Sequence, residues 1–246
     1  MTYRETILLT GFGPFPGMPV NASGELAGRL ARAARARYPC CRIVAGVLPT
    51  EWEAAPRLLA LLLDDTRPAL ALHFGVSRDA EGFVLETQAR NATSAIEDAA
   101  GALPERACVL DRGPPLLAAR LRKQAVFMSL AEAGLPARLS RDAGSYLCNM
   151  VFYHSLRRAA EASQPRLVGF VHIPAHLGAT FTVPERTTNR ARRASWPFPS
   201  RSRPADVATR PRQGLDWNGA VDGGLLIVAS GLEALSQGKT LYGKSG

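Results

Sequence analysis

Ile7-Leu8-Leu9-Thr10-Gly11 is the stretch from which the fold can be read. Three large apolar residues in a row, with no polar alternation, read as a strand covered on both faces rather than one with a solvated side. The chain then turns through Gly11 to Pro19, a Gly/Pro loop carrying Phe12 and Phe15. Asn21 has the side chain that caps a helix, and Leu26, Leu30 and Ala33 follow at helical spacing to about Arg37. The pattern repeats. Arg42 to Leu48 is strand-like, Pro49 and Thr50 introduce a second helix to about Asp64, and Ala69 to Phe74 is a short apolar run ended by Gly75. Alternating strands and helices with unbroken apolar strands predict an α/β fold with a central, largely parallel sheet.

Further along, Phe83 to Arg90 reads as one strand, Pro114 to Ala133 as one helix closed by Gly134, and Pro136 to Leu139 as a short strand. Asn91 to Arg112 has no clear period. A helix is expected after Cys148 to about Ala162, then a buried strand from Leu167 to His172. Gly219 to Ser236 has helical length, although Leu225, Ile227 and Val228 look strand-like. Residues 178–216 break the pattern: they are rich in Arg, Pro, Ser and Thr and are expected to form a surface loop or insertion on a single domain spanning 1–246.

The 246 residues are 46% hydrophobic, enough for a sizeable core. The formal charge is +9, but Arg186 to Arg212 holds eight arginines and a single acid, Asp206, so the excess is local and does not imply a basic fold-wide surface. The N-terminus lacks the basic start and apolar stretch of a signal peptide, and no apolar run suggests a membrane span, so a soluble cytoplasmic protein is expected. Cys40, Cys41, Cys108 and Cys148 have neither the spacing of a disulfide framework nor that of a zinc site.

Three residues carry the candidate chemistry. Cys148 closes Asp142-Ala143-Gly144-Ser145-Tyr146-Leu147-Cys148-Asn149, a small-residue turn leading into an apolar helix. A helix start favours thiolate, the nucleophilic form, and the turn lets backbone N–H groups point at an oxyanion. The plain alternative is a buried cysteine acting as a small hydrophobe. His172 ends a buried strand, as does its strongest rival, His73; His154 sits on the helix after Cys148 and faces away from it, and His176 is a further histidine. Glu86 lies in a strand, where a glutamate ordinarily faces solvent; buried against an imidazole it would orient the ring. Thr10-Gly11-Phe12-Gly13 lacks the spacing of a phosphate loop, and the arginine-rich stretch, with Trp196 and Phe198, keeps a nucleic-acid contact open as a weaker reading.

Four segments together resemble the pyroglutamyl peptidase I family of cysteine exopeptidases. Thr10 to Phe15 with Asn21-Ala22-Ser23 is similar to the family's TGFxPFxxxxxNxS motif. Glu86 to Asn91 resembles its glutamate motif, Asp142 to Asn149 its cysteine motif, and Phe170 to Pro174 its histidine motif. The resemblance implies an α/β/α sandwich of the phosphorylase/hydrolase-like kind with a mixed, largely parallel sheet. It implies Cys148 as nucleophile, His172 as general base then acid, and Glu86 as the orienting carboxylate. Phe12, Phe15, Asn21, Val76 and Tyr146 would form the substrate site. It implies no metal or organic cofactor, a peptide substrate with an N-terminal pyroglutamyl residue, no membrane or nucleic-acid partner, and leaves room for a homo-oligomer. Two positions depart: Gly75-Val76-Ser77-Arg78-Asp79-Ala80 stands where many members have GQAGGR, and Ile96 where many have arginine. The competing expectations are a non-catalytic relative that binds an acidic partner through its arginines, and a nucleoside-processing enzyme on a related fold.

Overall fold

The computed structural model describes residues 3–162, 164–178 and 214–242, without the side chains of 238–242. In chain order the elements are β1 (Glu5–Phe12), α1 (Ala22–Arg37), β2 (Cys41–Leu48), α2 (Ala54–Thr66), β3 (Leu70–Ser77), β4 (Phe83–Glu86), β5 (Gln88–Arg90), β6 (Leu116–Ala118), α3 (Lys123–Glu132), β7 (Ala137–Ser140), α4 (Leu147–Glu161), β8 (Leu167–Pro174), a short 3₁₀ turn (Ala175–Gly178) and α5 (Trp217–Tyr242).

Six strands form one sheet in the order β2-β1-β3-β8-β4-β7. The pairs β1/β2, β1/β3, β3/β8 and β4/β7 are parallel, and β4 runs antiparallel to β8. This is the mixed, largely parallel sheet that was expected. Strand parity sorts the core into two layers. Ile7, Leu9, Leu70, Leu72, Phe83, Leu85 and Val171 pack with Leu26 and Leu30 of α1, Val126 and Leu130 of α3, and Ile227 and Val228 of α5. Leu8, Ala71, Val168 and Phe170 pack on the other side with Leu59 and Leu63 of α2 and Val151, Phe152 and Leu156 of α4. Both faces of the central strands are therefore buried, which is why their sequences read as unbroken apolar runs. The helix predicted from Asn21 starts there: Asn21 Oδ1 accepts hydrogen bonds from Ser23 N at 3.1 Å and Ser23 Oγ at 2.7 Å.

Two expectations differ from the structure, and the open one at the C-terminal end resolves as a helix. Phe83 to Arg90 is two strands, because the chain breaks at Thr87: its N–H bonds Ser140 O and its carbonyl accepts from Ala119 N. Pro114 to Ala133 is not one helix. Pro115 confines its predecessor to extended backbone, and Leu116 to Ala118 then pair with β5, Ala89 lying opposite Leu117, so α3 begins only at Lys123. Gly219 to Ser236 is helical throughout, inside α5. By length and composition Trp217–Gln237 could cross a membrane; here Ala220, Ile227, Val228 and Leu235 are buried in the layer shared with α1 and α3. The arginine- and proline-rich segment expected at 178–216 lies outside the described residues except at its ends, Gly178 and Gly214 to Asp216.

Candidate active site

The three candidate groups come from three elements on the same side of the sheet. His172 has the parity of Val168 and Phe170 on β8, so its ring faces the α2/α4 layer. Glu86 ends β4 with the parity of Val84, and the antiparallel pairing sets Val84 opposite His172 and Glu86 opposite Phe170. His172 Nδ1 lies 2.9 Å from Glu86 Oε1, so the ring donates to the carboxylate. Glu86 is 3% exposed and its second oxygen, Oε2, makes no hydrogen bond among the described residues. The His172 ring is thus what offsets the cost of burying this carboxylate.

Cys148 enters from the first turn of α4 and is partly buried. Its sulfur is close enough to the His172 ring to act on its protonation by charge and hydrogen bonding. Gly75 on β3, the register partner of His172, makes room for this. A Cβ there would lie 2.8 Å from Cys148 Sγ, closer than real contacts come, and would press tightly on His172 Cδ2 and the Phe170 ring, each at 3.0 Å. Burial alone would lower the His172 pKa, but the charge of and hydrogen bond to Cys148, then the hydrogen bond to and charge of Glu86, outweigh it and raise the value to about 10. The ring is therefore charged at neutral pH, the state that pairs with a thiolate and holds a proton for a leaving group.

Local structure fixes the cysteine turn. Gly144 has φ +79, a left-handed backbone that glycine adopts without strain, and its N–H bonds Asp142 Oδ1 at 3.0 Å. The same carboxylate oxygen pairs with Arg90. Asn149, fully buried, ties the helix start to β5: its Nδ2 donates to Arg90 O at 2.8 Å and Ala92 O at 3.0 Å, and its Oδ1 accepts from Arg90 N at 2.8 Å. The residue before α4, Tyr146, makes no side-chain cap. The first-turn N–H groups around Cys148, which have no intrahelical partner, are left available to an anion.

These groups open into a cavity of about 710 Å³. Phe12, Phe15, Asn21, Val76 and Tyr146, the five proposed substrate-site residues, all line it with Cys148 and His172. Asn21 has a second duty. Its Oδ1 caps α1 and its Nδ2 donates to Gly13 O at 3.0 Å, so it holds the Phe12–Phe15 loop. Tyr146 donates to Glu97 O at 3.2 Å and meets Trp52 edge-on at 5.0 Å between centroids. Burial, with the charges of Asp98 and Cys148, pushes its phenol up to about 12, so it is a neutral donor in the working range.

The rival histidines lie elsewhere. His73 is fully buried, with Nδ1 2.7 Å from Thr10 Oγ1 and Nε2 2.9 Å from Ser155 Oγ. Burial drops its pKa to about 3, so it is a neutral core histidine. His176 bonds Leu215 O at 3.3 Å, and His154, its pKa lowered by burial, does not line the cavity. Among the described residues no group of three or more His, Cys, Asp or Glu could hold a metal ion. Several site residues escaped the sequence reading: Thr50, Arg78, Ala95, Glu97, Leu103 and Gly75. Only Gly75 had a signal, as the glycine ending an apolar run.

The geometry can be set beside known proteins. Residues 5–195 match the family model described as pyroglutamyl peptidase. The pyrrolidone-carboxylate peptidase of Gloeobacter violaceus is 36% identical over 169 residues, 68% of this chain and 80% of the relative. That of Pyrococcus furiosus is 31% identical over the same shares of the two chains. Among solved structures, the pyrrolidone carboxyl peptidase of Fervidobacterium islandicum superposes with a TM-score of 0.65 at 33% identity, covering 70% of this chain and 81% of that one. A Pyrococcus furiosus variant superposes with a TM-score of 0.73 over 93% and 98% at 24% identity, a likeness of fold.

Proposed function

The chain belongs to the pyroglutamyl peptidase family, and from that premise we propose that Cys148, His172 and Glu86 are the groups with which it removes an N-terminal pyroglutamyl residue from peptides. The observation that supports these roles is the 2.9 Å contact from His172 to buried Glu86, with His172 and Cys148 together lining one cavity.

In this reading the Cys148 thiolate attacks the carbonyl carbon that joins the lactam ring to the next residue. The carbonyl oxygen becomes an oxyanion facing the first-turn N–H groups of α4; one such donor contributes about 2.7–4 kcal/mol. As the tetrahedral intermediate collapses, the C–N bond breaks and the amine leaves with the proton held by His172. The thioester is then attacked by water, whose proton returns to His172, and the C–S bond breaks to release pyroglutamic acid and restore the thiolate. Glu86 keeps the ring oriented throughout and stabilises its charged form before acylation and again after deacylation. The lactam is neutral and has no free amine, so a lining of Phe12, Phe15 and Val76 suits it, while an N-terminal ammonium would enter at a desolvation cost.

A reducing compartment such as the cytoplasm goes with this reading, since all four cysteines are free thiols. The test is turnover of a pyroglutamyl-arylamide by the full chain. Cys148→Ala should reduce it to background while leaving the fold intact by circular dichroism, and a thiol alkylator should do the same to the unmodified protein. Undiminished turnover in the variant removes Cys148 from the mechanism.

A further inference from the structure

A second polar chain lies behind the candidate site, and the reaction described above does not use it. Thr10, His73 and Ser155 are fully buried, with His73 Nδ1 2.7 Å from Thr10 Oγ1 and Nε2 2.9 Å from Ser155 Oγ. None of the three lines the cavity. Burying them in an apolar layer carries a desolvation cost that their mutual hydrogen bonds offset. A neutral imidazole has one donor and one acceptor nitrogen, and a hydroxyl can take either role, so one ring serves both neighbours.

The chain crosses the sheet directly below the reactive groups. Thr10 pairs in register with His73 and His73 with Phe170, one row across β1, β3 and β8. Two residues further along, Gly75 pairs with His172. Helix α4 covers both rows. Cys148 lies over Gly75, and Ser155, seven residues on, returns to the same face two turns later, about 10 Å down the axis. Between these two points the helix rests on the sheet through Phe152, whose ring meets Phe170 at 5.7 Å between centroids. Apolar packing has no preferred direction along the helix axis, whereas a hydrogen bond holds both distance and angle. Asn149 already ties the first turn of α4 to β5. The bond from Ser155 to His73 supplies a second anchor, on β3, the strand that carries Gly75.

We propose that His73 is a positioning residue: by holding Ser155 it sets where α4 lies along β3, and so where the Cys148 sulfur stands against the His172 ring. The proposal rests on the function given above. Thr10, on the strand that leads into the Phe12–Phe15 loop, fixes the imidazole from its other side. Burial keeps that ring neutral, with its pKa dropped to about 3, so the link persists wherever a thiolate–imidazolium pair can work.

The test compares Ser155→Ala, His73→Asn and His73→Gln with the unmodified full chain. A glutamine amide reaches as far as Nε2 and can still bond Ser155; an asparagine amide reaches only as far as Nδ1 and leaves Ser155 unlinked. Ser155→Ala and His73→Asn should each lower kcat on a pyroglutamyl-arylamide by about 10²-fold with KM little changed. Both should also slow alkylation of Cys148 by iodoacetamide at neutral pH, followed on its own peptide by mass spectrometry. His73→Gln should recover most of both rates, although it loses the Thr10 bond and should lower the melting temperature as His73→Asn does. Equal losses in the Gln and Asn variants, or an alkylation rate unmoved in both Ser155→Ala and His73→Asn, overturns the positioning role. Alkylation needs no substrate, so absence of turnover in the unmodified protein would overturn the pyroglutamyl reading alone.

Discussion

On the proposed mechanism, His172 gives the reaction its pH signature. Its pKa is raised, so the imidazolium persists well above its ordinary value and is lost as pH rises through about 10. The kcat/KM of the free enzyme should therefore fall on that alkaline limb. Glu86→Gln removes one of the groups that raise the value, so the limb should move to lower pH and kcat should drop about 10²-fold or more, with the melting temperature tracked alongside. An unmoved limb would mean that something else orients the ring. At this scale the sequence was only partly legible. Cys148 was readable because a glycine-serine turn before an apolar helix is a local pattern. Glu86 was named through the family resemblance, while its own strand pointed to solvent, because nothing within Phe83 to Glu86 states which neighbour covers that face. The His73 question was settled by Thr10 and Ser155, two hydroxyls from other elements that no local pattern could assign to it.

Helices and strands show where local rules hold and where neighbours override them. Gly28 lies in α1 with nothing within 4 Å of an added Cβ, whereas a Cβ on Gly223 in α5 would come within 2.3 Å of the Phe83 ring. Gly28→Ala should stabilise the protein by about 0.5–1 kcal/mol through helix propensity and loss of unfolded-chain entropy. Gly223→Ala should destabilise it by about 1–3 kcal/mol through overpacking, despite the same helical gain. Paired thermal or denaturant unfolding curves check both signs. The elements read correctly from sequence, β1, α1, β2, β3, β8 and the helix after Cys148, have strong local signals: buried apolar runs, Asn21 at a cap and heptad-like spacing. Those misread are short and borrow their order from elsewhere. β6 exists because β5 lies beside it. The segment after β5 is organised by Asp98, which accepts from the N–H groups of Trp52, Ala100 and Ala102, a role that a sequence of Ala, Thr, Ser and Gly around it does not reveal.

At the scale of the whole molecule, the fully buried His73 shapes the behaviour in acid. His73 has a folded pKa depressed to about 3 against 6.5 when unfolded, so the unfolded chain binds the extra proton between those values. Stability from this group is complete above pH 6.5 and is lost as pH falls towards 3, at up to about 1.4 kcal/mol per pH unit. Unfolding followed from pH 7 to pH 4 should show that slope, and His73→Gln, which keeps hydrogen-bonding capacity without titrating here, should flatten it; an equal slope in the variant would assign the acid sensitivity to another group. The same architecture separates integrity from competence. Glu86 sits on a four-residue strand pairing against the direction of β8, and a slip of one residue there would swing the carboxylate through the sheet to the opposite layer while most of the molecule stayed intact. Damage confined to that strand would therefore leave the bulk spectrum native while removing working sites, which a titration of the reactive thiol would count.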